Sequence, residues 1–325
     1  MSPRTRRIAQ IAFGLAVTAV FVWLIARKVD LGQMRAAFAH LRLGVAAWGL
    51  LALAAAYAVR IRRWQRMLAA LGAGVTYLAT ARAFLSGTAI NNVVPLRAGD
   101  AARVVLIARH SDFPMSRVLS SLIVERLLDV CVLLILLFAM LLLMPAHTLP
   151  GWMMRSSEWL MGIAVTAAIA ILAGPKPAMR LIERFVTPVS PKIGAVVHNI
   201  ASAFADLARP ALMAELFAYS VVSWGLEGLL YVAFVAAAQG REPVAAGFTT
   251  FALGTLSTLI PSGPGFVGTF DMFAIIALQI FAIGANTAAV IAVSIHATLW
   301  VVTTAAGACF LVLGRSLFAS KTKAG

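Results

Sequence analysis

The chain has 325 residues, of which 62% are hydrophobic and 12% charged, with a mean hydropathy of +0.93. Globular domains run near half apolar and a quarter charged, so this composition excludes an ordinary water-soluble domain. The 27 Lys and Arg against 12 Asp and Glu leave a net charge of +15; no basic run is interleaved with aromatics outside the apolar segments, which argues for membrane orientation and anionic lipid and against nucleic acid.

The apolar residues fall in runs long enough to cross about 30 Å of hydrocarbon at about 1.5 Å per residue. The first predicted span, 8–26, follows Arg4, Arg6 and Arg7 in the manner of a signal peptide, but it is too long and Arg27-Lys28-Val29-Asp30 offers no small-residue cleavage site, so it is expected to stay. Residues 31–41 set Leu31, Met34, Phe38 and Leu41 at helical spacing against Arg35 and His40, a pattern that lies flat on a membrane surface. A second span follows at 43–59. The stretch 78–108 is apolar but broken in its middle by Pro, Gly and polar residues, and reads as a re-entrant hairpin. Full spans come next at 118–144 and 159–173, and a second surface-lying segment at 193–207. The span 211–238 precedes another broken stretch, 244–283, and the last span is 287–314. Cys131 and Cys309 both sit inside apolar runs, so no disulfide or metal framework follows.

The expected fold is therefore all-α and polytopic, one transmembrane domain over 1–325 with six full spans and two re-entrant broken-helix hairpins. With each hairpin entering and leaving on its own side, 15 basic residues fall on one face and 6 on the other, and the remaining six, Arg82, Arg97, Arg103, Arg109, Arg117 and Arg126, lie in or beside the first broken stretch and the span after it; the count puts both termini in the cytoplasm. The two broken stretches resemble each other. Gly87-Thr88 is followed by polar residues and Pro95-x-x-x-Gly99, and Gly254-Thr255 by polar residues and Pro261-x-x-x-Gly265, about half a chain length later. Two halves of opposite topology, about 1–145 and 158–315, are the expectation, an inverted repeat of the kind found in many secondary transporters.

Three constellations could carry chemistry. Asn91, Asn92, Pro95, Arg97, Gly99, Asp100 and Arg103 form the densest polar cluster. Pro95 should unwind the backbone there, which is tolerated at membrane depth only inside protein or against a wet cavity. Asn91 and Asn92 can satisfy the freed groups or hold a polar ligand. Arg97 and Arg103 offer forked donors suited to phosphate, or they snorkel to lipid headgroups. Glu125, Arg126 and Asp129 lie within an apolar span, where charges must pair; the expected partners are Arg126 with Asp129, and Glu125 with Arg97 or Arg103, in either a gating or a structural network. Pro261, Gly263, Pro264, Gly265 and Gly268 make the second hairpin tip, with Asp271 about one turn into the returning helix, placed to hold a proton, a cation or an arginine, or only to compensate the helix dipole. His296 reads either as titratable or as a hydrogen-bonded core histidine. The five histidines show no ligand spacing and there is no G-x-S-x-G nucleophile, so no catalytic set, metal or cofactor is expected.

Asn92-Val93-Val94-Pro95-Leu96-Arg97-Ala98-Gly99-Asp100 with Arg103, then Glu125-Arg126-Leu127-Leu128-Asp129, then 261–268 with Asp271, resemble in that order the lysylphosphatidylglycerol synthase transmembrane family, similar to the flippase half of bacterial multiple-peptide-resistance proteins. The family pattern has Glu near Asp100 and at Asp271, where this chain has the shorter carboxylate. The resemblance implies a multi-pass protein of the bacterial inner membrane that moves a phospholipid or a polyprenyl-linked headgroup between leaflets. The rival readings are a lipid-binding or assembly partner of a membrane glycosyltransferase that moves nothing, and an intramembrane transferase.

Overall fold

A computed structural model describes residues 39–94, 97–142, 202–238, 243–260 and 263–313, with scattered positions elsewhere. The expected spans at 8–26 and 159–173, most of both surface-lying segments, Pro95, Pro261 and both termini lie outside the described residues. The described elements are all helical: α1 (Leu43–Ala70), α2 (Tyr77–Val93), α3 (Ala98–Ser111), α4 (Met115–Leu142), α5 (Pro210–Ala237), α6 (Pro243–Ser257), a 3-10 turn (Pro264–Phe266), α7 (Thr269–Ile280) and α8 (Ala285–Leu313).

Local chemistry sets these boundaries. Gly72 takes a positive φ of 94° just past α1, and its N–H and that of Ala73 return to the carbonyls of Ala69 and Leu68, closing the helix. The Thr76 hydroxyl caps α2 by accepting from the Ala79 N–H at 3.2 Å. Pro210 opens α5 where its missing N–H costs nothing.

Three of these helices, Leu43–Ala70, Pro210–Ala237 and Ala285–Val312, are long and apolar enough to cross a membrane. At 28 residues α1 and α5 each extend about 42 Å. Their outer faces carry bare apolar side chains, with Trp48 71% and Val312 72% exposed, a surface compatible with lipid and not with water. α4 has the same 28-residue length but carries Arg117, Glu125, Arg126 and Asp129.

α1 and α5 form the centre of the bundle and run antiparallel. The Arg42 N–H at the start of α1 donates to the Ala237 carbonyl at the end of α5, and Arg66 near the end of α1 grips Glu215 near the start of α5. Two apolar cores lie at opposite ends of this pair. One joins Trp64, Met67 and Leu68 of α1 to α2, α3 and Leu216; the other joins Ala46 and Leu53 to Tyr231, α6, α7 and the first half of α8. Tyr57 touches both. Each broken stretch is thus gathered around its own end of the central helices.

The sequence of lengths in α1 to α4, 28, 17, 14 and 28 residues, is nearly repeated in α5 to α8 at 28, 15, 12 and 29. Packing follows the same exchange: α2 lies on α8 as α6 lies on α4, and α1 meets α4 as α5 meets α8.

The α2–α8 contact depends on close backbone approach. A Cβ placed on Gly307 would lie 2.2 Å from the Leu85 carbonyl and 2.5 Å from the Ala89 Cβ, whereas one on Gly225 of α5 meets nothing within 4 Å. Gly307→Ala is therefore expected to lower stability by about 1–3 kcal/mol through overpacking, while Gly225→Ala should be neutral or stabilising. Thermal unfolding of both variants in detergent checks the contrast.

Candidate functional site

The first helix break lies between Val94, which is extended, and Arg97, whose φ of 52° puts a non-glycine residue in the left-handed region at the N-cap of α3. Such backbone strain persists only where surrounding contacts hold it. Here Asn91 supplies them: its Oδ1 accepts the Gly99 N–H at 2.7 Å and its Nδ2 donates to Asp100 at 3.1 Å, pinning the end of α2 to the first turn of α3. Gly99 is required by this approach, since a Cβ there would fall 1.8 Å from the Gly87 carbonyl. Asn92 ties the same break to α8, donating to the Thr303 and Thr304 hydroxyls at 2.9 Å each, while its carbonyl accepts from Trp300 Nε1 at 3.2 Å. Of the two roles open to the asparagines in the sequence, both side chains are engaged in protein hydrogen bonds.

The second break places Gly265 and Phe266 at φ of 66° and 60° in consecutive left-handed conformations. It is held from α8. His296 Nε2 lies 2.7 Å from the Gly265 carbonyl and its Nδ1 lies 2.9 Å from Asp271 Oδ1, while Asp271 Oδ2 accepts the Gly268 N–H at 3.0 Å. Asp271 therefore has a partner that a view limited to the helix dipole overlooks. The two breaks meet. Arg97 donates to the Thr258 carbonyl at 3.0 Å and stacks 5.6 Å over the Phe266 ring, so a residue of each tip lies against the other.

Between the two apolar cores is a layer of buried charge. Arg103 holds Glu125 with both terminal nitrogens, at 3.0 and 2.9 Å, and lies 4.1 and 4.2 Å from the ring centres of Trp64 and Phe84. Arg63 donates to Asp129 at 2.7 Å and to Ser220 at 2.6 Å, and Trp224 Nε1 donates to the same Asp129 oxygen at 2.9 Å. Arg60 lies 3.8 Å over Trp224 and its Nη2 touches Glu227 Oε2 at 2.5 Å, an ionic contact off the hydrogen-bond angle that leaves its buried Nε and Nη2 without an aligned acceptor among the described residues. Arg126 reaches Glu125 at 3.1 Å and Asp129 at 3.8 Å, with 41% of its side chain exposed. The expected pairing of Glu125 with Arg103 is present. The expected Arg126–Asp129 pair is the longer contact, at Oδ2, while Arg63 and Trp224 both bind Oδ1.

The charged groups of this layer, with Phe84 and Trp224, line one cavity of about 210 Å³ together with Asn91, Asn92, Arg97, Asp100, Gly265 and His296. That volume is below the roughly 300–1,000 Å³ of sites for drug-sized ligands; it suits a polar headgroup and not a diacyl tail. Five arginines face four carboxyl groups, Asp100, Glu125, Asp129 and Glu227. Among the described residues, Arg97 is the cavity arginine with no carboxylate within 4.0 Å.

Residues 11–307 match the lysylphosphatidylglycerol synthase transmembrane region. The chain belongs to that family. No curated protein and no solved structure matches it. As a lysylphosphatidylglycerol synthase transmembrane protein it is a membrane-embedded, multi-pass chain with a lipid-related role.

Several site residues of this family member are not evident from the sequence motifs. Arg60 and Arg63 read as a cytoplasmic flank after a span ending at residue 59, yet α1 continues to Ala70 and turns both inward, 7% and 1% exposed. The available signal is the spacing: Arg60, Arg63 and Trp64 share one helix face with Ala56 and Met67, which are fully buried. Glu227 was detectable as the lone acid in the middle of the apolar α5.

Arg63 carries the Asp129 contact, so Arg63→Met should strand a buried carboxylate and lower stability by roughly 3–5 kcal/mol. Adding Asp129→Asn should restore most of that loss. Arg126→Met, more exposed and farther from Asp129, should cost less than half as much. Thermal melts of the three variants in detergent decide among these pairings.

Proposed function

We propose that the protein moves a phospholipid or lipid-linked headgroup between the leaflets of the bacterial inner membrane, with the headgroup in the charged cavity and the acyl chains left in lipid. The observation that carries the reading is Arg97. It lies where the two helix breaks touch, faces a cavity with one more guanidinium than carboxyl group, and has no carboxylate of its own among the described residues. An anionic phosphate supplies the missing counter-charge, and the planar fork of arginine matches phosphate geometry. Arg126, partly exposed and held by Glu125 at 3.1 Å, is the second donor. Arg103 orients rather than binds, since Glu125 fills its fork.

Transport rather than chemistry on the lipid is the reading, with no cofactor involved and the substrate class an anionic phospholipid or polyprenyl-linked headgroup. Two halves of inverted topology would place the hairpins as re-entrant elements from opposite faces, with both termini cytoplasmic. The repeated helix lengths, the exchanged packing and the gathering of each break at its own end of the antiparallel α1–α5 pair support that arrangement. Parting of the tips at the Arg97–Thr258 contact would open the cavity to one leaflet at a time.

Purified protein in vesicles holding a fluorescent anionic phospholipid tests the function by dithionite bleaching of the outer leaflet. Arg97→Lys, which keeps the charge and loses the fork, should slow lipid movement about tenfold, the cost of one charge-assisted hydrogen bond of about 1.5 kcal/mol. Equal rates in vesicles with and without the protein would overturn the reading.

The topology has its own test. Gly74 and Gly284 sit at the bases of the first and second broken stretches, and an added Cβ at either meets nothing within 4 Å. Gly74→Cys should label with a membrane-impermeant reagent from the cytoplasmic face and Gly284→Cys from the outer face. Labelling of both from one face would exclude inverted halves.

A further inference from the structure

The helices of the two halves can be compared position by position. Asp100 is the third residue of α3 and Asp271 the third of α7, and Arg126 is the twelfth of α4 as His296 is the twelfth of α8. A side chain that is always charged in the first half is replaced in the second by one that titrates.

The hydrogen bonds fix how many protons this second site holds. The Gly265 carbonyl can only accept, so the bond at 2.7 Å requires a proton on His296 Nε2. The 2.9 Å contact between His296 Nδ1 and Asp271 Oδ1 requires one more, on one side or the other. Asp271 Oδ2 is already occupied by the Gly268 N–H. The pair as it stands therefore holds two protons, as imidazolium with carboxylate or as imidazole with carboxylic acid. Removing one leaves two lone pairs facing each other in a buried site, and the imidazole must turn away from Asp271 or release Gly265.

Among the described residues no other charged side chain hydrogen-bonds or pairs with His296 or Asp271. His296 and Asp271 are the ionisable residues of their own helices, apart from the distant Cys309. α6 contributes none, and Arg82, the charge on α2, is about 15 Å along the helix from Asn92. From α5 the cavity receives Glu227 and Tyr231, and from the first break Arg97 and Asp100. The apolar neighbour of the imidazole is the Phe270 ring, 4.8 Å away.

We infer that His296 and Asp271 form a proton-binding site that latches the second hairpin tip to α8, and that the proton is the ion coupled to movement of the tips. The latch reaches the junction because Gly265 abuts both Trp300 and the Asn92 carbonyl, and Phe266 lies under Arg97. The latched form binds one proton more than the released form, so its population falls as pH rises. The coupling role rests on the transport reading above; the proton site does not.

Hydrogen exchange of residues 263–268 in the full-length protein in lipid nanodiscs reads the latch without any transport. Once the intrinsic pH dependence of exchange is divided out, opening should increase about tenfold per pH unit above the transition. Asp271→Asn donates from its amide to Nδ1 of neutral histidine and still accepts from Gly268, so it should stay latched at and above the pH where the parent opens; His296→Gln should also lose the transition. A parent with no transition, or a transition that survives in Asp271→Asn, overturns the site, and this second variant keeps the test decisive if His296→Gln does not fold. In vesicles, a one-unit pH gradient should bias the labelled lipid between leaflets by up to about tenfold for one proton per lipid, and Asp271→Asn should abolish the bias. Bias by a sodium gradient and not by pH would overturn the coupling role. If lipid does not move at all while the exchange transition and its loss in Asp271→Asn are seen, the proton site stands and the transport reading fails.

Discussion

A charge placed in a low-dielectric layer must find a partner, and the whole bundle is organised around meeting that condition. Isolated ions at membrane depth are costly, and the penalty falls only when an opposite charge and directed hydrogen bonds are supplied together. Arg63, Arg103, Glu125 and Asp129 are each nearly inaccessible and each is held from more than one direction. Since these groups come from α1, α3 and α4, with Ser220 and Trp224 from α5, satisfying them fixes how four helices lie on one another. The aromatic faces of Trp64, Phe84 and Trp224 complete the arrangement, giving two guanidinium planes a surface to stack on where water is excluded.

The helix breaks obey the same condition applied to the backbone. Unwound peptide groups cannot be left bare at that depth, and both breaks are closed by side chains from elsewhere: Asn91 within the first hairpin, Asn92 and Trp300 across to α8, His296 and Asp271 at the second. What these contacts secure is a pair of strained turns, Arg97 in one and Phe266 in the other, that touch above the charged cavity.

The near-equality of the halves makes their difference informative. Their helix lengths and packing correspond, yet the first half concentrates fixed charge beside its break while the second sets an imidazole 2.9 Å from a carboxylate.

The sequence by itself determined that this is a helical membrane chain, since hydropathy and run length depend on composition alone, and it located both breaks, since Pro and Gly act on the local backbone wherever they stand. It also singled out Asn91, Arg97, Glu125, Asp129 and Asp271 as polar residues in apolar surroundings. Only the tertiary structure decided their partners. Helical spacing places a side chain on a face but does not say which distant helix that face will meet, so the Arg63–Asp129 bond, 66 residues apart, and the His296–Asp271–Gly265 latch were not legible. For the same reason Arg60 and Arg63 read as a flank facing water: whether an arginine near a helix end snorkels outward or turns in depends on a carboxylate that waits there, and Glu227 and Asp129 come from helices the local sequence does not contain.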